Sequence, residues 1–151
     1  MNLDALPYAS FIVLLEFAVG TMAVCLFADW RGRVAASFVK FSAAMVTVAA
    51  VVMLLNSLAL DPKSAIGGYR LDDGMLTPVK VTAALFLLTT LPYNWFVFKE
   101  DRQMAMITGV ASATIGLALV AVVAYYVSLP TWGYAGSLLS IAAGTLSVGL
   151  V

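Results

Sequence analysis

Residues 6–28 form an apolar run that holds only one acidic or basic side chain, Glu16. About 20 apolar residues at about 1.5 Å rise cross the hydrocarbon core of a bilayer, so the run is long enough to span. Four more hydrophobic segments follow, at about 34–60, 76–98, 104–129 and 131–151. The chain is 63% apolar and 11% charged, against about 45–50% and about 25% in a soluble domain. A chain of 151 residues could not hide so much apolar surface in a core of its own. The expected fold is therefore an all-α integral membrane protein, a single bundle of about five transmembrane helices.

The loops suggest an orientation. Arg31 and Arg33 lie in the first loop, Lys99 and Arg102 in the third, with Lys40 close by. The long second loop, residues 61–78, dilutes Lys63 and Arg70 with Asp61, Asp72 and Asp73. Lys and Arg favour the cytoplasmic side, so the first and third loops are expected inside and the N-terminus outside. The start, MNLDALPY, has no Lys or Arg, so the first run is expected to persist as a helix rather than be removed as a signal peptide.

Composition also excludes functions. The net charge is zero, so nothing points to nucleic acid. Histidine is absent, which removes histidine-ligated haem and histidine acid–base catalysis. The one cysteine, Cys25, cannot pair within the chain and reads as apolar filling; no metal site is expected. There is no nucleophile–base pair and no glycine-rich phosphate loop, so an enzyme acting alone is not expected.

Glu16 is the informative residue. A carboxylate in mid-bilayer costs roughly 2.5–3.5 kcal/mol on insertion scales, and intramembrane acids are often functional. It lies about 12 residues, or ~18 Å, from Asp29. Lys40 is placed to snorkel back to the interface, and Lys80 lies near the outer end of the third segment. With no cation at its depth, Glu16 is expected to be protonated at rest and to face the bundle interior with Gly20. Thr47, Asn56, Tyr125 and Tyr126 are candidate hydrogen-bond partners. The candidate proton or quinone site is Glu16, Asn56, Lys80, Tyr125 and Tyr126. The plainer reading makes Glu16 a hydrogen-bonded helix contact, and Asn56 and Tyr125–Tyr126 interhelical or interfacial contacts. Small residues at spacing four, Thr108–Ser112–Gly116 and Gly136–Ser140–Gly144, predict close helix packing, as does the stripe Ala9, Val13, Glu16, Gly20 and Ala23. Pro92 is expected to kink or end the third helix. Trp30, Trp95 and Trp132 are expected at membrane borders.

Several motifs resemble the membrane-anchor family of polysulfide and dimethyl-sulfoxide reductases. Gly20 is similar to a glycine within that family's first helix. Leu60-Asp61-Pro62 with Ala65 resembles its Leu-Gly-x-Pro element, and Leu76-Thr-Pro-Val-Lys80 the opening of its third helix. Pro130-x-Trp132, with Leu138 and Gly144 beyond it, resembles a later helix start. Ala59 replaces a frequent histidine, and Lys80-Val81 stands for an Arg-Glu pair. The resemblance implies a cofactor-free anchor subunit of an oxidoreductase complex in a bacterial or archaeal cytoplasmic membrane. Such an anchor contacts quinone and passes electrons to an iron–sulfur partner. Leu15-Glu16 with Gly20-Thr21 is also similar to the small multidrug transporters, which implies a proton-coupled transporter using Glu16. A purely structural membrane subunit is the remaining reading.

Residues 138–151 carry no charge, so other membrane subunits, or a longer protein, are expected to cover this end. The orientation has a direct test in intact cells, on a Cys25-free background. An impermeant thiol reagent should label a cysteine placed at Gly68 and not one at Gly32; the reverse pattern would refute it.

Overall fold

In a computed structural model, residues 6–32, 34–61, 65–66, 69–127 and 133–149 are described. Arg33, Lys63, Gly68, Pro130, Trp132 and Val151 lie outside them. Five α-helices follow in order: α1 (Leu6–Trp30), α2 (Ala36–Leu58), α3 (Leu76–Phe98), α4 (Arg102–Tyr126) and α5 (Gly133–Gly149). The spans Leu6–Trp30, Ala36–Leu58, Asp73–Phe98 and Arg102–Tyr126 are long and apolar enough to cross a membrane. α5 has 17 residues. Between α2 and α3, β1 (Ala65–Ile66) pairs antiparallel with β2 (Tyr69–Arg70), and a 3₁₀ turn, Asp73–Met75, leads into α3.

The helix ends are set by local chemistry. Asp101 caps α4 by accepting from the Met104 amide at 3.1 Å, as an N-cap acid does. Gly32 takes φ 65 just past α1, a left-handed conformation suited to glycine. Glu100 takes φ 60 just past α3. There Glu100 N–H donates to the Val97 carbonyl at 3.2 Å and Asp101 N–H to the Phe96 carbonyl at 3.1 Å, the two bonds of a Schellman cap. Pro92 does not end α3, which continues to Phe98; transmembrane helices tolerate such prolines. Hydroxyls within the helices donate to their own backbone: Thr47 to Ala43, Thr114 to Val110 and Thr145 to Ile141. Each then needs no partner from an apolar surrounding.

α1 packs on α2, α2 on α3, α3 on α4, and α4 returns to α1. This closes a four-helix core, and α5 lies outside it against α1 and α4. Phe11, Leu15, Met22, Val46, Met53, Val79, Phe86 and Leu119 fill the interior. The outward faces are equally apolar: Val13, Phe41, Leu55, Leu88, Leu117 and Leu139 are each exposed. Helices apolar on every side suit a lipid solvent.

Small residues set the closest contacts. On α4, Gly109, Ser112 and Gly116 are buried, as expected for the last two, while Thr108 is half-buried. A Cβ at Gly109 would lie 2.6 Å from Leu26 Cδ1 and 3.1 Å from the Tyr93 ring. A Cβ at Gly116 would meet Phe86 at 3.0 Å and Val19 at 3.1 Å. On α5 the buried residues are Ser137, Ile141 and Thr145, while Ser140 is exposed. That corrects the expected Gly136–Ser140–Gly144 stripe, which the helix turns partly outward. On α1, Ala9 and Val13 are exposed and only Gly20 of the expected stripe is buried. The bulky Phe11, Leu15 and Met22 occupy the core instead, where they make more dispersion contacts than small residues would. Gly109→Val should lower unfolding stability in detergent by roughly 1–3 kcal/mol through overpacking, read as a lower melting temperature.

Candidate functional site

Glu16 sits on the flank of α1, half-buried, beside the core face rather than on it. Its carboxyl lies directly against Gly144 of α5. A Cβ at position 144 would stand 2.5 Å from Glu16 Cδ and 2.7 Å from Oε2, with Oε1 closer still. Gly144 therefore provides the space the carboxyl occupies. The expectation that Glu16 faces the inside of the bundle becomes more specific: it faces the α1–α5 seam, with Ile141 and Thr145 buried on the same α5.

The expected partners do not come to it. Thr47 donates to the Ala43 carbonyl at 3.0 Å and accepts from Asn94 Nδ2 at 3.1 Å. Asn56 donates to the Val52 carbonyl of its own helix at 3.2 Å. Tyr125 is exposed and packs edge-on against Tyr134, with ring centroids 5.7 Å apart. Among the described residues no hydrogen bond or ion pair to Glu16 is found. The reason is geometric: these groups sit on other helices or at the end of the bundle, while Glu16 turns toward α5.

Lys80 and Tyr126 belong to a separate cluster at the Tyr8 end. Lys80 Nζ donates to the Leu60 carbonyl at 3.3 Å, just past the end of α2. The Tyr8 hydroxyl donates to the Asp61 carbonyl at 2.5 Å. The Tyr126 ring is buried, and its hydroxyl lies near that of Tyr8 without hydrogen-bond geometry. The Tyr126 carbonyl accepts from the Asp72 amide at 3.2 Å, tying α4 to the segment before α3. The five candidate residues thus divide into Glu16 in the seam, a tethering cluster around Lys80 and Tyr126, and two outlying residues, Asn56 and Tyr125.

The Asp29 end gathers charge. Lys40 Nζ pairs with Glu100 Oε1 at 2.7 Å, and Arg102 Nη2 donates to the Asp29 carbonyl at 2.7 Å. Arg31 lies over the Phe27 ring and Lys99 over the Trp95 ring, each 4.8 Å from the centroid. Trp30 and Trp95 are exposed there, as amphipathic border residues would be. The bond and charge of Lys40 hold the Glu100 carboxyl below its ordinary range. A lowered carboxyl value means that the pair is intact at neutral pH and is lost as pH falls through that value. Sequence reasoning missed Glu100 and Asn94. The turn Lys99-Glu-Asp-Arg102 was a visible signal for Glu100; a lone Asn in an apolar run was the signal for Asn94.

No family description, known protein or solved structure matches the chain. Among the described residues no group of three His, Cys, Asp or Glu could hold a metal ion.

The seam makes a packing prediction. Gly144→Leu should lower stability by roughly 1–3 kcal/mol, because the new side chain and the Glu16 carboxyl claim one volume. Adding Glu16→Ala should recover most of that loss, a coupling of about 0.5–3 kcal/mol in a double-mutant cycle of detergent melting. Strictly additive effects would show that the two residues do not meet.

Proposed function

We propose that the chain is a membrane-anchor subunit of a redox complex, in which Glu16 exchanges a proton with a quinol at the α1–α5 seam. The observation that carries this reading is the Glu16 carboxyl, set over Gly144 within a membrane-length helix and bonded to no cation among the described residues. A carboxyl so placed holds its proton at rest, since a bare charge in hydrocarbon is strongly disfavoured. After releasing that proton toward water, the carboxylate accepts one from the quinol as it is oxidised. The quinol's two electrons pass to an iron–sulfur partner, and its second proton leaves to water. The chain itself holds no redox group in this scheme. Its roles are to anchor the partner, to place the headgroup and to move the proton.

The motifs similar to the polysulfide and dimethyl-sulfoxide reductase anchors support the redox setting. The clustering of Lys40, Arg31, Lys99 and Arg102 at the Asp29 end supports a cytoplasmic position for that end and an outside N-terminus, in a bacterial or archaeal cytoplasmic membrane. The iron–sulfur partner and further membrane subunits are part of the proposal. Proton-coupled transport by the same carboxyl is the alternative, and copurification in mild detergent separates the two: an iron–sulfur subunit supports the anchor, a bare homodimer the transporter.

Glu16→Gln keeps a donor and an acceptor, so it should preserve folding and assembly. Quinol-dependent turnover of the complex should fall by roughly 10²-fold, the scale of a lost general acid–base group. Wild-type turnover in this variant would leave Glu16 as a helix contact and the chain as a structural subunit.

A further inference from the structure

The charged Asp29 end encloses a cleft of about 200 Å³. Asp29, Lys40, Val97, Glu100, Arg102 and Ala105 line it, so the ends of α1, α2, α3 and α4 all contribute. It lies among the helix ends at the Asp29 end of the four-helix core.

About one helical turn deeper, each of those helices carries a polar or small residue: Cys25, Ser42, Tyr93 and Gly109. These meet. Cys25 Sγ lies 3.8 Å from the Tyr93 hydroxyl. The Ser42 hydroxyl is within interaction reach of the Cys25 thiol. A Cβ at Gly109 would lie 3.1 Å from the Tyr93 ring. The three polar side chains are buried, Tyr93 at 1%, Cys25 at 3% and Ser42 at 5% exposure.

Two orphaned polar atoms lie in the same half of the core. Ser112 Oγ and Asn94 Oδ1 are buried without a partner among the described residues. Thr47 meets only one polar atom of the Asn94 amide, so turning the amide over would exchange one orphaned atom for the other. Buried orphans of this kind are normally met by water.

The Lys40–Glu100 pair, 2.7 Å between Nζ and Oε1, joins α2 to the turn after α3 on the wall of the cleft. Glu100 stands at the position after α3 where glycine is usual, with φ 60. A side chain in that conformation is strained, and strain held in place asks for a function. Here the strained residue is the one that reaches Lys40 of α2.

We propose that this end of the bundle is a gated water inlet. Lys40–Glu100 is the gate, the cleft is the vestibule, and Tyr93, Cys25 and Ser42 form the first polar layer that water and its protons reach. The inlet stops near Gly116, where Phe86 and Val19 close in. Cys25 lies about 9 residues, or ~14 Å, along α1 from Glu16, so the inlet does not depend on the reading of Glu16.

Cys25 is the only cysteine in the chain and reports on the inlet directly. The full chain, in its membrane or complex, is treated with methanethiosulfonate ethylammonium, and modification is followed by mass. The wild type should react slowly. Glu100→Ala should react about tenfold faster or more, with the melting temperature unchanged, because a local opening rather than global unfolding admits the reagent. The rise would run against the loss of an acid that attracts this cation. Ala105→Phe, which fills the vestibule, should cancel the rise, while a lipid-soluble maleimide reacts equally with both variants. Equal rates in wild type and Glu100→Ala would overturn the proposal. So would a rise that Ala105→Phe leaves intact in a protein of unchanged melting temperature.

Discussion

The approach of α4 to α1 and α3 through Gly109, Ser112 and Gly116 is the contact on which the rest of the arrangement depends. Lipid tails are as apolar as leucine, so the hydrophobic effect does not drive these helices together. What remains is dispersion between closely packed backbones and side chains, which falls away quickly with distance. Glycine at 109 and 116 lets Leu26, Tyr93, Phe86 and Val19 come into contact with the α4 backbone. Side chains there would hold α4 away and open the four-helix core.

Closing that core decides where chemistry can sit. With Phe11, Leu15 and Met22 of α1 turned inward, Glu16 falls on the flank that α5 covers. A third glycine, Gly144, then makes room for a carboxyl where a methyl group would collide. The two ends of the bundle are finished differently. The Tyr8 end is tied by hydrogen bonds to backbone carbonyls at Leu60 and Asp61, and the Asp29 end by an ion pair and cation–ring contacts. The first gives a fixed cap; the second leaves a cleft behind an exposed pair that water can reach.

Much of the fold was legible in the sequence because hydrophobic length is a one-dimensional signal. The third segment, 76–98, coincides with α3, the first starts with α1 at Leu6, and the remaining ends of the first, second and fourth differ from α1, α2 and α4 by two or three residues. Which face of each helix is buried was less legible. Ala9, Val13 and Ser140 matched small or apolar stripes, yet they point outward, because bulk at Phe11 and Leu15 and the placement of α5 outweigh the stripe. Glu16 was visible as an anomaly, but its neighbour Gly144 lies far along the chain, and no local pattern joins them. Lys80 and Tyr126 were grouped with Glu16 as candidates; their backbone partners, Leu60 and Asp72, could be seen only in three dimensions. The strained Glu100 cap depends on φ, which the turn Lys99-Glu-Asp-Arg102 does not display.

In the proposed function, the Glu16 carboxyl keeps its proton inside the seam until turnover moves it. Infrared difference spectroscopy of the assembled complex, reduced against oxidised, measures that proton directly. The wild type should show a band of a protonated carboxyl that changes on turnover and is missing in Glu16→Gln. A spectrum with the same carboxyl bands in both proteins would contradict it.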